Sequence, residues 1–282
     1  MRTFRLAMIP GVILDPAMVR EAAVAGAFYD ARAATLAAEV DGWLSAGAAP
    51  APALAVMVPH AGYVYSGAVA GATFARVAVP ARAIVLGPNH TGLGHAGAAL
   101  WPAGAWRTPL GAVPVDPELT AALAAAPGVA ADRLAHLREH SLEVEVPFLQ
   151  RARPDVALAA LCLGPLSFAA CEALGTAVGA AARAAGALVV ASSDMSHYIP
   201  AAEARRRDLR ALDRLLALDA EGLYDVVRRE GITMCGVVPA TVMLVAARAL
   251  GATRAELVRY AHSGEVSGDD DAVVGYAGVV VR

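Results

Sequence analysis

Residues 54–60 (LAVMVPH) and 82–90 (RAIVLGPNH) are two nearly uninterrupted apolar runs, each closing on a histidine with a glycine two residues later. Short runs that are apolar throughout, rather than alternating, read as strands covered on both faces. Residues 66–77 between them have the length and spacing of a helix. A strand–helix–strand crossover makes its strands parallel. If the two strands are neighbours, about 4.8 Å apart, His60 and His90 leave the sheet at one carboxyl edge. Open α/β sheets hold their ligands at that edge, and imidazole is the commonest metal ligand.

The same alternation continues along the chain. Strands are expected at 156–163, 187–193, 256–262 and 272–281, and helices at 30–45, 116–126, 141–153, 167–185, 201–216, 219–229 and 237–250. Asp116 and Asp208 fit capping or dipole preferences near helix starts. This is an α/β chain, a three-layer α/β/α sandwich around a mostly parallel central sheet. Residues 46–53, rich in Pro and Ala, read as a joining loop and not as a linker, so 1–282 is taken as a single domain. The short apolar stretch before Pro10 does not read as a signal peptide, and no apolar run reaches the roughly 18 residues that a membrane span needs. A net charge of −3 gives no reason to expect a nucleic-acid partner. The sequence contains no lysine, which excludes Schiff-base chemistry and the P-loop lysine. Three cysteines, far apart and without a CxxC pair, fit a reducing, cytoplasmic location.

Residues 92–97 (GLGHAG) match the dinucleotide pattern G-x-G-x-x-G, but the next residues, 98–104 (AALWPAG), cannot open the helix that such a loop requires. Residues 189–197 (VVASSDMSH) form a third strand end. There Asp194 is a candidate ligand, an acceptor behind a ligand, or a cap, and His197 is a candidate ligand or general acid/base. Cys235 stands at the start of an expected helix, where a thiol pKa falls, and is the best soft-ligand candidate. Cys162 and Cys171 read as core residues. His140 lies in EHSLE (139–143), where Glu139 and Glu143 are spaced to share a helical face. That segment reads either as an acid or a partner orienting a ligand histidine, or as a solvated helix end. Asp269, Asp270 and Asp271 read as a solvated turn, and no partner is evident for His95 or His136.

Taken in order, residues 25–29 (AGAFY), 59–67 (PHAGYVYSG), 86–90 (LGPNH), 107–111 (RTPLG), 139–143 (EHSLE), 192–197 (SSDMSH), 235–239 (CGVVP) and 274–276 (VGY) resemble the MEMO family, also labelled AmmeMemoRadiSam system protein B. The match runs from Arg20 to the end of the chain. The resemblance implies a fold like that of class III extradiol (LigB-like) dioxygenases. It implies one iron or copper ion held by His60, His90 and Cys235, with His197 in the place of an acid/base histidine and Asp194 beside it. It also implies a redox or dioxygen-dependent role, in some relatives beside a radical-SAM protein and an AMMECR-type protein. A non-catalytic module binding a peptide in the retained cleft, lined by Tyr63, Tyr65 and Trp106, is the alternative.

Overall fold

The computed structural model describes residues 18–45 and 49–282, so the expectations for the N-terminal stretch and for part of the Pro/Ala loop lie outside the described residues. In chain order the elements are β1 (Val19–Arg20), α1 (Ala33–Ser45), β2 (Ala55–Val58), α2 (Tyr63–Phe74), β3 (Arg82–Pro88), β4 (Ala98–Leu100), β5 (Ala105–Thr108), β6 (Gly111–Pro114), α3 (Pro117–Ala124) and β7 (Val129–Ala131). A 3-10 turn (Glu143–Glu145) leads into α4 (Val146–Ala152). Then come β8 (Ala157–Leu163), α5 (Phe168–Ala185), β9 (Leu188–Ser192), β10 (His197–Ile199), α6 (Ala201–Leu216), α7 (Ala220–Arg229), α8 (Val237–Leu250), β11 (Ala255–His262), α9 (Gly264–Ser267) and β12 (Val273–Val281).

Nine strands form one sheet in the order β10-β12-β2-β9-β3-β8-β4-β7, with β11 also paired to β12. The four central strands, β2, β9, β3 and β8, are parallel, whereas β12 joins β2 and β4 joins β8 antiparallel. The parallel character therefore belongs to the centre, where the apolar runs are uninterrupted. The side-chain period of 2 splits each central strand between two cores. Met57, Ile84, Leu86, Leu161 and Val189 pack with α5, α6, α7 and α8. Val56, Val58, Val85, Ala160 and Val190 pack with α1, α2 and α4. Sheet and helices thus make the three layers expected, and each large side chain fully buried in them contributes about 1.5–3 kcal/mol.

Local signals set the ends of elements. Asp116 caps α3 by accepting from the Leu119 amide at 2.8 Å, with Pro117 in the first turn. Ser167 caps α5 by accepting from the Ala170 amide. Residues 98–100 continue the GLGHAG loop as strand and not as helix, which disposes of the dinucleotide pattern. The short strands β1, β4–β7 and β10 were not apparent in the sequence, and the helix expected over 141–153 begins only at the turn Glu143–Glu145. Asp208 lies inside α6 and caps nothing; it is buried and accepts from the Ser196 amide at 2.9 Å and the Tyr260 hydroxyl at 2.8 Å. Among the described residues no helix is long and apolar enough to cross a membrane.

Candidate metal centre

His60 follows β2 by two residues, Asp194 follows β9 by two, and His90 follows β3 by two. The histidine-bearing strands are not neighbours, because β9 lies between them. Their axes are therefore about 10 Å apart at the usual strand spacing, yet the two ring centroids stand 5.1 Å apart at 77°. The imidazoles converge above the end of β9, and this shared carboxyl edge is what the crossover pattern predicts. His140 joins them from the loop before the 3-10 turn. One nitrogen from each of His60, His90 and His140 falls within 4.8 Å of the other two, a trio that could hold a metal ion.

Each ring is held from behind. His90 Nδ1 meets Glu139 Oε1 at 2.9 Å, and the His90 amide donates to Glu139 Oε2 at 2.6 Å. Burial pushes the Glu139 carboxyl up, but the His90 ring and the Ser141 amide outweigh it and hold its pKa at about 2. Glu139 is thus an acceptor and His90 Nδ1 donates to it, which leaves Nε2 as the nitrogen available to a ligand. A carboxylate behind a histidine in this way fixes ring orientation at metal sites. His60 Nδ1 likewise meets the Ser192 hydroxyl at 2.7 Å. Burial first, then the neighbouring imidazoles of His140, His90 and His197, push the His60 pKa well down, so this ring is neutral. His140 is pushed down to about 4, by burial and, against the pull of Glu139, by His90. His140 stacks on His90 with centroids 4.6 Å apart at 17°, whereas His60 meets both rings edge-on.

Cys235 directly precedes Gly236, the N-cap of α8, and its Sγ lies 3.2 Å from His60 Nε2. A Cβ at Gly236 would collide with the Ser192 carbonyl oxygen, so only glycine lets the start of α8 press against the end of β9 and bring Cys235 there. The sulfur touches His60 and stands outside the three-histidine group. Two ligand atoms bonded to one ion at about 2.1 and 2.3 Å stand on the order of 3.1–3.6 Å apart, so the sulfur–nitrogen contact fits a shared cation. The helix N-terminus does not make this thiol acidic. Burial, then Asp194, push its pKa up, so without a cation it stays protonated. Asp194 Oδ1 accepts from the His60 amide at 2.8 Å, and burial raises its carboxyl to about 6. His197 Nδ1 donates to the Thr233 carbonyl at 2.9 Å, which leaves Nε2 as the nitrogen free to exchange a proton with the cleft.

His60, His90, His140, Asp194 and His197 line a cleft of about 610 Å³ together with Phe28, Tyr65, Tyr198 and Tyr276, and Cys235 lies behind His60. Tyr65 is on the cleft wall as expected, but Tyr63 and Trp106 are buried and do not line this cleft; Tyr63 borders a separate hollow beside Trp43. Tyr198, 77 % exposed, sits on the rim with φ of 58°, a strained backbone for a non-glycine residue. Glu139 and Glu143 do not share a helix. Both are buried, Glu139 behind His90 and Glu143 beneath the site in an ion pair with Arg20. Cys162 and Cys171 are buried core residues, and Asp269, Asp270 and Asp271 form an exposed turn. Arg20, Ser192 and Glu145, all fully buried around the site, escaped sequence reasoning. Two glutamates in the otherwise apolar run 142–149 (LEVEVPFL) were the available signal.

Comparison with known proteins agrees with this architecture. The family model described as "Memo-like protein" matches residues 20–280. A MEMO1 family protein of Aquifex aeolicus is 41% identical over 266 residues, covering 93% of this chain and 98% of its own. One from Methanothermobacter thermautotrophicus is 40% identical, covering 92% and 99%. The crystal structure of an uncharacterized Escherichia coli K12 protein superposes with a TM-score of 0.54 at 16% identity, covering 79% of this chain and 98% of its own, and so shares the fold.

Proposed function

This chain belongs to the Memo-like protein family, and we propose that it binds one iron or copper ion at the cleft floor and serves a redox or dioxygen-dependent role. The observation that carries this reading is the convergence of His60 and His90 with both Nδ1 atoms engaged behind them. Such rings have one orientation and offer a lone pair to one point. A set of imidazoles with a thiol suits iron, copper or zinc far better than magnesium or calcium.

For the third ligand we favour Cys235. Its sulfur already stands at a ligand-to-ligand distance from His60 Nε2. His140 stacks on His90 and has a pKa of about 4, so it stands beside the cation as a neutral ring. That suits His140 to proton transfer beside the cation. Bound here, iron or copper would supply electron exchange and open positions for a small molecule. His197 can take a proton at Nε2 from a group in the cleft, Asp194 holds the His60 backbone in place, and Phe28 and Tyr65 narrow access for water.

Anaerobic metal analysis tests the proposal. We expect about one iron or copper per chain and loss of occupancy in His60→Ala; undiminished occupancy in that variant would overturn it. A second reading, a peptide-binding module that retains the cleft, draws support from the exposed side chains Val64, Tyr65 and Tyr198. It would prevail if Cys235→Ser abolished metal binding and left the affinity for a partner unchanged. A role in a reducing cytoplasm beside a radical-SAM protein and an AMMECR-type protein is part of the proposal. It rests on the family resemblance, and co-purification under anaerobic, reducing conditions tests it.

A further inference from the structure

The hydrogen bonds around Ser192 determine where the protons sit beneath the cleft. Its Oγ stands 2.6 Å from the Ser141 carbonyl oxygen, 2.7 Å from His60 Nδ1 and 3.0 Å from Glu145 Oε1. Ser192, Ser141 and Glu145 are fully buried and His60 is 2 % exposed, so no solvent fills in for a missing partner. A hydroxyl has one proton to give and two lone pairs to accept with. A carbonyl oxygen only accepts, so the Ser192 proton goes to Ser141. The other two contacts must then each bring their own proton. His60 carries one on Nδ1, and Glu145 carries one on Oε1.

The opposite assignment fails on two counts. If Ser192 gave its proton to a Glu145 carboxylate, the 2.6 Å contact between Ser192 Oγ and Ser141 O would set two oxygens together with no hydrogen between them. An ionised carboxylate would also be buried with a single hydrogen bond, because Glu145 Oε2 has no partner among the described residues. Burial and the like charge of Asp194 press Glu145 toward the neutral acid, against the Ser192 bond.

We propose that Ser192, with its own proton committed to the Ser141 carbonyl, is a positioning residue that locks His60 in its Nδ1–H tautomer and keeps Nε2 unprotonated toward the cleft floor, while Glu145 stands behind it as a neutral acid donating to the same hydroxyl. The Ser192–Ser141 bond adds a second function. It fixes the backbone directly after His140, so one hydroxyl sets the register of two of the converging histidines. The consequence for ligation rests on the metal-binding reading above, whereas the tautomer does not.

Ring-nitrogen NMR of the metal-free protein reads the tautomer directly, and titration with Fe(II) or Cu(I) reads affinity. The wild type should show His60 protonated at Nδ1. Glu145→Gln should keep that tautomer, because the side-chain amide can donate to Ser192 as the acid does, and should bind metal within about threefold of wild type. Ser192→Ala should lose the tautomer preference and weaken metal binding on the order of 10–100-fold. A wild-type His60 protonated at Nε2 would overturn the proposal. So would Glu145→Gln weakening metal as strongly as Ser192→Ala, since that means the carboxylate charge is what acts. A wild type with the expected tautomer and no affinity for either metal would sink the metal-binding reading and leave the relay standing. Thermal melts confirm that the variants are folded before they are compared.

Discussion

One short segment buries carboxyl groups in two opposite ways. Glu143 is met by the Arg20 guanidinium, the Ala23 and Val24 amides and the Tyr29 hydroxyl, while Arg20 also bonds the His136 and Glu139 carbonyls. Two residues on, Glu145 is met, among the described residues, by a single hydroxyl and by no cation. The first is a fully compensated charge that staples residues 20–29 to the loop carrying His140. The second is an uncharged acid that shares the hydroxyl behind one histidine. Burial alone says little about what a carboxyl does, and the number and sign of its partners decide it.

Glutamine at each position breaks the comparison most sharply. Glu143→Gln leaves the Arg20 charge buried without its counter-ion and should cost about 3–5 kcal/mol of unfolding free energy. Glu145→Gln exchanges one neutral donor for another and should cost less than about 1 kcal/mol of stability. Urea denaturation of both variants measures the gap, and equal costs would erase the distinction.

Acid sharpens the comparison. Glu139 has a folded pKa of about 2 against the ordinary 4.5. A carboxyl whose pKa is lowered by folding gives stability that is fully present above the unfolded value and lost as pH falls through the folded one. Its contribution, on the order of 3 kcal/mol, should fade between about pH 4.5 and 2. Glu139→Gln should flatten that limb of the metal-free stability curve. Glu145, pushed the other way, costs nothing in acid and destabilises the fold as pH rises above its unfolded value. Glu145→Gln should leave the acid limb alone and lessen the decline at higher pH. Thermal melts in steps from about pH 2 to 9 track both limbs.

The sheet's carboxyl edge was legible because chemistry and periodicity coincide there: uninterrupted apolar runs announce buried parallel strands, and each ends on a polar residue that a buried strand would not otherwise carry. His60, His90, Asp194 and His197 were placed at this edge for that reason. The intervening position of β9 was not legible, since strand order depends on which crossovers skip a place and no local pattern records this. The partners behind the rings were hidden for a related reason. Arg20 lies 123 residues from Glu143, and Ser192 lies 132 from His60, so only the folded chain shows that the charges cancel and the hydroxyl is shared. The expected drop in the Cys235 pKa failed because burial, which the helix-terminus pattern does not reveal, outweighs the dipole at this position.

The finest test lies within the Glu143 cage. Burial, then Glu143 itself, push the Tyr29 phenol pKa up, so its hydroxyl remains a donor across the ordinary pH range. Tyr29→Phe removes this one bond, and Glu143 keeps Arg20 and two amides. If the carboxylate is as fully compensated as the geometry implies, the cost is that of one hydrogen bond to a charged acceptor, about 1.5–3 kcal/mol, below that of Glu143→Gln. The ring should stay packed against Tyr63, 5.4 Å away between centroids, so the loss comes from the hydroxyl and not from a cavity. A double-mutant cycle between Tyr29→Phe and Glu143→Gln isolates the pair. A coupling energy near zero would mean that the amides and Arg20 alone satisfy the charge, making the tyrosine a packing residue and the staple a three-partner structure.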